Sequence, residues 1–314
     1  MQLHLSRRQW LASAAAVAGT MAVSPPGRAA EKTPMFRYSL NTSTIRGQKL
    51  SLVEEVRIAA RAGYDAIEPW TRELQQYVES GGSLKDLNKR IADAGLKVES
   101  AIGFAEWIVD DDTRRRKGLE QAKKDMDMVQ QIGGMRLAAP PVGATDRTDL
   151  SLMRIAERYR ALLELGDKMG VTPQAEMWGF SKSLTHLSEV TMVAVEAGHP
   201  KACVLPDVYH FHKGGSSFEG LKLLGPATFS VFHMNDYPAD PPPAMITDAH
   251  RVYPGDGVAP LTQILRDLRQ IGFHGVLSLE LFNPEYWKQD AFEVASTGLK
   301  KMKAVVDAAL KGDR

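Results

Sequence analysis

The chain has 314 residues, of which 44% are hydrophobic and 25% are charged. This composition is that of an ordinary soluble globular protein. Lysine and arginine number 39 against 38 aspartates and glutamates, so the formal net charge is +1. Such a chain has no global basic field, and we expect no nucleic-acid partner. Cys203 is the single cysteine, which excludes an internal disulfide bond.

The first thirty residues have the pattern of a secretory signal peptide. Arg7 and Arg8 precede an apolar, alanine-rich run at 12–23, and small residues end the segment. A basic start, a short apolar core and a small-residue end are typical of signal peptides. The adjacent arginines resemble the twin-arginine export signal. We therefore expect residues 1–30 to direct export to the periplasm or beyond, with no stable membrane insertion after their removal, and residues 31–314 to form the mature protein.

After this segment, short apolar runs alternate with longer amphipathic stretches. Eight runs have the length and composition of buried strands: Phe36–Asn41, Ala66–Trp70, Lys97–Gly103, Met135–Pro140, Thr172–Trp178, Ala202–Tyr209, Phe229–Asn235 and Val276–Phe282. Six stretches between them have apolar residues at helical spacing and a glycine directly after: Leu52–Ala62, Leu84–Ala94, Gly118–Ile132, Leu152–Met169, Leu187–Ala197 and Leu261–Ile271. A following glycine is typical of a helix that ends in a left-handed residue.

This alternation predicts an α/β fold in which helices cover a parallel sheet. Eight strands favour a closed (β/α)₈ TIM barrel in a single domain over an open sheet. The turn after the first strand, Ser39–Ser43, lacks the glycine-rich pattern that binds a dinucleotide phosphate, so a dinucleotide-binding fold is the weaker alternative. In a TIM barrel the chemistry lies at the carboxyl ends of the strands.

Four consecutive predicted strands end in groups that can bind a metal ion. These groups are Glu176, Asp207, His233 and Glu280, on strands five to eight. Three carboxylates and one imidazole suit Mn²⁺, Mg²⁺, Co²⁺ or Zn²⁺, and they do not suit a metal that requires thiolates. Buried carboxylates also need a compensating charge, which a cation supplies. The sequence therefore predicts one divalent metal ion, held by these four residues at the mouth of the barrel.

The motifs at the strand ends resemble those of the xylose-isomerase-like barrel group over roughly residues 36–310. The motifs that carry the resemblance are Glu176, Asp207-x-x-His210, His233-x-x-Asp236, Arg251–Gly257 and Glu280. That group includes ketose 3-epimerases, hydroxypyruvate isomerase, inosose dehydratase and the endonuclease IV branch. In the 3-epimerases a further acid follows the strand-five glutamate by six positions. This chain has Lys182 there, which argues against a 3-epimerase.

The resemblance implies a metal-dependent sugar isomerase or epimerase with Glu176 and Glu280 as catalytic acid/base groups. The expected substrate-binding residues are His210, Arg251, Trp178 and Asp236. In such an enzyme a metal-stabilised enediolate forms when a glutamate removes a carbon-bound proton. Return of the proton to the neighbouring carbon gives isomerisation, and return to the opposite face gives epimerisation. Loss of a β-substituent gives elimination, so the ligand set alone leaves these reactions open.

Three other functions use the same barrel. An exported lyase or hydratase acting on 3-keto-glycosides is the main alternative. A non-catalytic sugar-binding protein would have no use for the complete ligand set. An endonuclease IV-type nuclease needs histidines at the ends of strands two and three, and this chain has none between His4 and His186. We expect a small sugar or glycoside as the partner, and the sequence leaves open the sugar, the metal and assembly into a homo-oligomer.

Overall fold

The computed structural model describes residues 34–311. The predicted signal peptide lies outside these residues. Met35 begins a single compact unit that contains all of the strands and helices given below. None of the described helices is long and apolar enough to cross a lipid bilayer.

The described chain alternates between short strands and longer helices. The strands are β1 Phe36–Asn41, β2 Ala66–Glu68, β3 Lys97–Val98, β4 Ala101–Ile102, β5 Arg136–Ala139, β6 Thr172–Glu176, β7 Val204–Leu205, β8 Val231–Met234 and β9 Gly275–Leu279. The α-helices are α1 Leu52–Ala62, α2 Thr71–Glu79, α3 Leu84–Asp93, α4 Asp112–Gln131, α5 Leu152–Met169, α6 Leu187–Glu196, α7 Val208–Gly214, α8 Leu261–Gln270, α9 Pro284–Trp287 and α10 Ala291–Leu310. Short 3₁₀ turns occur at Thr42–Gln48, Phe218–Leu223 and Asp248–His250.

All of the strand pairs are parallel, and they form two sheets that join into a barrel. One sheet has the order β3-β2-β1-β9-β8 and the other the order β4-β5-β6-β7. Parallel bridges from Trp70 to Ile102 and from Asp207 to His233 connect the two sheets on both sides. Since β3 and β4 are the two halves of the third predicted strand, the result is a closed eight-stranded barrel. The predicted (β/α)₈ fold is confirmed.

Side chains fill the inside of the barrel. An apolar cluster separate from the main core contains residues from six strands or strand ends, which can meet only in the interior: Trp70, Ile102, Ala138, Leu205, Val231 and Val276. Polar side chains are also fully buried there, among them Ser278 and Gln174. The main core packs the helices against the outside of the strands, as in other barrels of this type.

Local chemistry sets where the helices begin and end. Ser51 accepts a hydrogen bond from the amide of Glu54, whose carboxylate accepts one from the amide of Ser51, and this reciprocal cap begins α1. Gly63 ends α1 with φ of 88°, a conformation that glycine adopts without strain. Asp207 begins α7, because its side chain accepts a hydrogen bond from the amide of His210.

The structure differs from the sequence prediction in several boundaries. The predicted strand Ala202–Tyr209 is too long: β7 covers two residues, and the cap at Asp207 turns the chain into α7. Helix α4 begins at Asp112, before the predicted start at Gly118, because Asp111 caps it by accepting from the amide of Arg114. Four helices were not predicted: α2, α7, α9 and α10.

Candidate active site at the barrel mouth

Asp207, His233 and Glu280 form a potential metal site. One ligand atom from each residue lies within 4.8 Å of the others, and all three residues are buried. His233 Nδ1 lies 3.3 Å from Glu280 Oε2 and 3.7 Å from Asp207 Oδ2. This nitrogen has no hydrogen-bond partner among the described residues. A buried imidazole nitrogen that faces two carboxylate oxygens is a donor set suited to a divalent cation, so these residues fit the predicted ion.

Glu176, the fourth predicted ligand, lies beside this group. Burial raises the pKa of Glu176 to about 8, with further increases from the charges of Glu280 and Asp207 and an opposing effect from His233. Its Oε2 atom is buried and lacks a hydrogen-bond partner within residues 34–311. A carboxyl group with an unpaired oxygen at this place can contact a metal ion or a substrate. Its direct ligation of the metal stays a prediction.

The other ring nitrogen of His233 contacts Glu68, at the end of β2. Nε2 lies 3.0 Å from Glu68 Oε2, which also accepts hydrogen bonds from Ser278 Oγ at 2.7 Å and Asn41 Nδ2 at 3.0 Å. Burial raises the pKa of Glu68, but the charge of His233 and these hydrogen bonds outweigh it and hold the pKa below its ordinary value. A carboxylate in this position fixes the tautomer of a metal-binding histidine. From the sequence, the strand-end position of Glu68 indicated that it could reach the mouth of the barrel, and a structural role was the favoured interpretation; its contact with His233 was not predicted.

Arg251 provides a positive charge between the predicted ligands. Its Nη1 atom lies 2.8 Å from Asp207 Oδ2 and 2.9 Å from Glu280 Oε2, and its Nη2 atom lies 2.6 Å from Asp248 Oδ1. Burial lowers the pKa of Arg251, but these carboxylates outweigh it and raise the pKa. Burial raises the pKa of Asp207, but the net pKa of this carboxyl is lowered by the positive charges of Arg251, His210 and His233. The guanidinium therefore compensates buried negative charge.

The remaining predicted substrate-binding residues fall into two groups. His210 and Trp178 line the cavity beside the metal site, as does Arg251. His210 Nδ1 accepts a hydrogen bond from the amide of Gly179, and burial, helped by Arg251, lowers the pKa of His210. Asp236 is not part of the cavity lining, and its carboxylate instead accepts hydrogen bonds from four backbone amides: Tyr237, Gly255, Gly257 and Ala259. Asp236 thus organises the loop after β8.

The cavity has a volume of about 410 Å³ and an aromatic wall. The rings that line it are Trp70, Phe104, Trp178, Phe180, Phe282 and Trp287. Apolar walls around a few polar groups are typical of small-molecule sites, and flat rings suit the apolar faces of sugars. Trp107, which follows the third predicted strand, does not line this cavity; it is buried in the core and donates a hydrogen bond to the carbonyl oxygen of Pro140.

The geometry agrees with what is found by comparison with known proteins. Residues 56–305 match the family described as xylose isomerase-like TIM barrel. The chain belongs to this family. The family prediction made from the strand-end motifs is confirmed.

Two enzymes are similar in sequence to most of the chain. An inosose isomerase of Bacillus velezensis is 29% identical over 261 residues, which cover 82% of this chain and 92% of the relative. A 3-dehydroshikimate dehydratase of Pseudomonas putida is 25% identical over 270 residues, which cover 85% of this chain and 41% of the relative.

Two solved structures show how closely the fold is shared. The crystal structure of the IOLI protein with a bound zinc atom superimposes with a TM-score of 0.81 at 24% identity, and it covers 88% of this chain and 100% of that one. An L-ribulose 3-epimerase gives a TM-score of 0.70 at 17% identity and covers 87% of this chain and 95% of that one. At these identities the two structures support the barrel fold.

Proposed function

We propose that the protein is a divalent-metal-dependent isomerase or epimerase that acts on a small polyhydroxy ketone of the sugar or inosose kind. The observation that carries the proposal is the convergence of Asp207, Glu280 and the unpaired Nδ1 of His233 beside the unpaired carboxyl oxygen of Glu176. The aromatic cavity next to them has room for a single sugar-sized molecule. The similarity to inosose isomerases supports the reaction class.

The residues suggest how the reaction would proceed. A bound divalent ion would supply positive charge to neighbouring carbonyl and hydroxyl oxygens as a carbon-bound proton leaves. Glu176 has a buried carboxyl oxygen without a hydrogen-bond partner in the described chain, so this oxygen is available to take a proton from a substrate carbon. Glu280 also lines the cavity, and Asn41 Nδ2 donates a hydrogen bond to its Oε1 atom at 3.2 Å. Two carboxyl groups at one cavity can remove a proton at one carbon and return it elsewhere.

Dehydration is the second candidate reaction. It shares the removal of a proton next to a carbonyl group but continues with loss of a β-hydroxyl group as water. The similarity to a 3-dehydroshikimate dehydratase favours it, although this chain covers 41% of that relative. The exported 3-keto-glycoside lyase belongs to the same reaction class and is distinguished by its substrate.

Solvent-exchange NMR tests the proposal directly. The purified protein is analysed for bound metal, loaded with Mn²⁺, freed of excess ion and incubated in D₂O with inosose, free ketoses and a 3-keto-glycoside. The substrates are then recovered for NMR. We expect deuterium to enter next to a carbonyl carbon together with an isomeric product, and both to be lost in Glu280→Gln and Glu176→Gln and after chelation.

Glu106→Gln is the matched control, since Glu106 pairs with Arg114 and does not line the cavity. A metal-loaded protein that exchanges no proton of any compound in the panel would contradict the proposal. Products that have lost water or the glycosidic substituent would identify the elimination reaction instead.

A further inference from the structure

Arg46 presents a guanidinium group to the active-site cavity and has no anionic partner among residues 34–311. It lines the same cavity as Glu176 and Glu280. Its Cζ atom lies 5.0 Å from the ring centre of Trp70, 5.2 Å from that of Phe282 and 5.3 Å from that of Trp287. Within residues 34–311 the side chain has no hydrogen bond and no ion pair. Aromatic rings therefore hold the group in place and leave its N–H donors free.

A second guanidinium increases the positive charge at this wall. The Cζ atom of Arg72 lies 4.2 Å from the ring centre of Trp70, so two arginines contact one indole. The described chain gives Arg72 no ion pair either. Burial, and then the charge of Arg72, lower the pKa of Arg46, because the two cations repel each other. An anion bound at this place would relieve that repulsion.

The nearby carboxylates do not pair with Arg46. Glu73 Oε2 accepts hydrogen bonds from the Thr42 hydroxyl at 2.6 Å and from the Trp70 amide at 2.9 Å, which caps α2. Glu280 is close enough for its charge to raise the pKa of Arg46, yet it lies beyond ion-pair distance. A small molecule that fills the cavity can therefore touch Glu280 with one end and Arg46 with another.

Arg46 also separates this cavity from a neighbouring cleft. The cleft, of about 730 Å³, is lined by Arg46, Lys49 and Arg72 but also by Glu55 and Glu73. Because acids and bases both line the cleft, it gives no preference for a charged ligand. The face of Arg46 that looks into the aromatic cavity is the one where an anion would find free donors and apolar surroundings. An arginine in such surroundings binds carboxylate or phosphate oxygens with two parallel hydrogen bonds.

We propose that Arg46 binds an anionic group, a carboxylate or a phosphate, on the substrate of the metal site, so that the preferred substrates are acidic polyhydroxy ketones. This inference rests on the proposed function, since it assigns the anionic group to the molecule that the metal site holds. It goes further by naming a substrate class and the residue that selects it.

Calorimetric binding to the Mn²⁺-loaded full-length protein tests the inference with three matched ketoses. D-fructose is neutral, D-fructuronate carries a carboxylate and D-fructose 6-phosphate carries a phosphate. We expect at least one anionic ketose to bind about tenfold or more tightly than D-fructose. Arg46→Gln should weaken that binding at least tenfold and remove the preference over D-fructose. The anionic ketose whose affinity falls more between the wild type and Arg46→Gln carries the group that Arg46 recognises.

Arg61→Gln is the matched control, because Arg61 also packs on a ring, that of Phe292 at 4.5 Å, and does not line the cavity. Circular dichroism and metal content confirm that each variant is folded and loaded. Equal affinity of the wild type for neutral and anionic ketoses, or an Arg46→Gln variant that behaves as Arg61→Gln does, would overturn the inference. Binding needs no turnover, so an Arg46-dependent preference without proton exchange would reject the proposed reaction and keep the anion site. Proton exchange without a preference for the anionic ketoses would support the proposed reaction and reject the anion site.

Discussion

His233 and Glu68 face each other across the barrel interior, with Nε2 of the imidazole 3.0 Å from Oε2 of the carboxylate. They lie on β8 and β2, which are separated in the sheet by β9 and β1. Because Nε2 donates its proton to Glu68, the other nitrogen, Nδ1, is left facing Glu280 Oε2 at 3.3 Å. The contact thus selects the tautomer that a metal ion needs.

Glu68→Gln should weaken metal binding about 10- to 100-fold, the usual effect of removing such a carboxylate. The amide that replaces the carboxylate can donate a hydrogen bond to Nε2 of His233, which would place the imidazole proton on Nδ1. The dissociation constant for Mn²⁺ or Zn²⁺ is measured by competition with a chelator of known affinity. Glu106→Gln serves as the control, and equal metal affinity in the two variants would show that Glu68 does not orient His233.

Arg251→Met should destabilise the metal-free protein by about 3–5 kcal/mol, the cost of removing one partner from a buried ion pair. Arg251 is 1% exposed and faces Asp207 and Glu280, whose charges would lose their compensation. A divalent ion should recover part of the loss, since it supplies positive charge to the same carboxylates. The free energy of unfolding is measured in urea with chelator and with Mn²⁺.

The control for this variant is Arg147→Met. Arg147 forms ion pairs with Asp110 and Asp149 at the surface, where such pairs contribute about 0–1 kcal/mol. If the two methionine variants lose the same stability, or if Mn²⁺ recovers none of the loss at Arg251, the charge-compensation argument is wrong.

Glu55 should make the protein less stable as the pH rises. It is 3% exposed, and burial, together with Glu73 and Glu54, raises its pKa from 4.5 to about 9. The folded state therefore holds this proton more tightly than the unfolded state does. The stabilisation is complete below pH 4.5 and is lost progressively as the pH rises towards 9.

Glu55→Gln keeps a neutral side chain at every pH and should remove this dependence. The variant should gain stability over the wild type between pH 5 and 8, by at most about 1.4 kcal/mol per pH unit. Urea unfolding at unit intervals of pH measures the difference. Glu120→Gln, at an exposed position of α4, is the control, and a difference for Glu55→Gln that stays constant with pH would refute the prediction.

The strand ends were predictable because each follows a short apolar run, and the barrel brings such ends together. This is why the sequence indicated that Asp207, His233 and Glu280 would lie close together, as they do in the structure. The contact of Glu68 with His233 could not be predicted from the sequence, because the two residues are 165 positions apart and only closure of the barrel brings them together. Helix α10 was missed because only the stretches between predicted strands were assigned as helices, and α10 follows the last strand. One of its faces is buried.

The contacts of Asp236 could not be predicted from the sequence either. Its place after a strand was predicted, but nothing in the sequence indicated that the backbone at 255–259 folds onto it. Oδ1 accepts from Tyr237 and Ala259 at 2.8 and 2.9 Å, and Oδ2 accepts from Gly255 and Gly257 at 2.9 and 3.1 Å. Asp236→Asn keeps one of the two acceptor oxygens and sets an amide group against the other pair of N–H donors.

We expect Asp236→Asn to cost about 1–3 kcal/mol, roughly the cost of one buried donor without an acceptor, because solvent partly reaches the amides of Gly255, Gly257 and Ala259. Proteolytic cleavage should become faster in the loop that carries Arg251, because Asp236 and Val252 pair through their backbones. Urea unfolding and limited proteolysis measure the two effects. Asp290→Asn makes the same change where one oxygen accepts from both Phe292 and Glu293, and asparagine caps helices as well as aspartate does. Equal stability of the two variants would mean that the loop after β8 does not depend on the carboxylate.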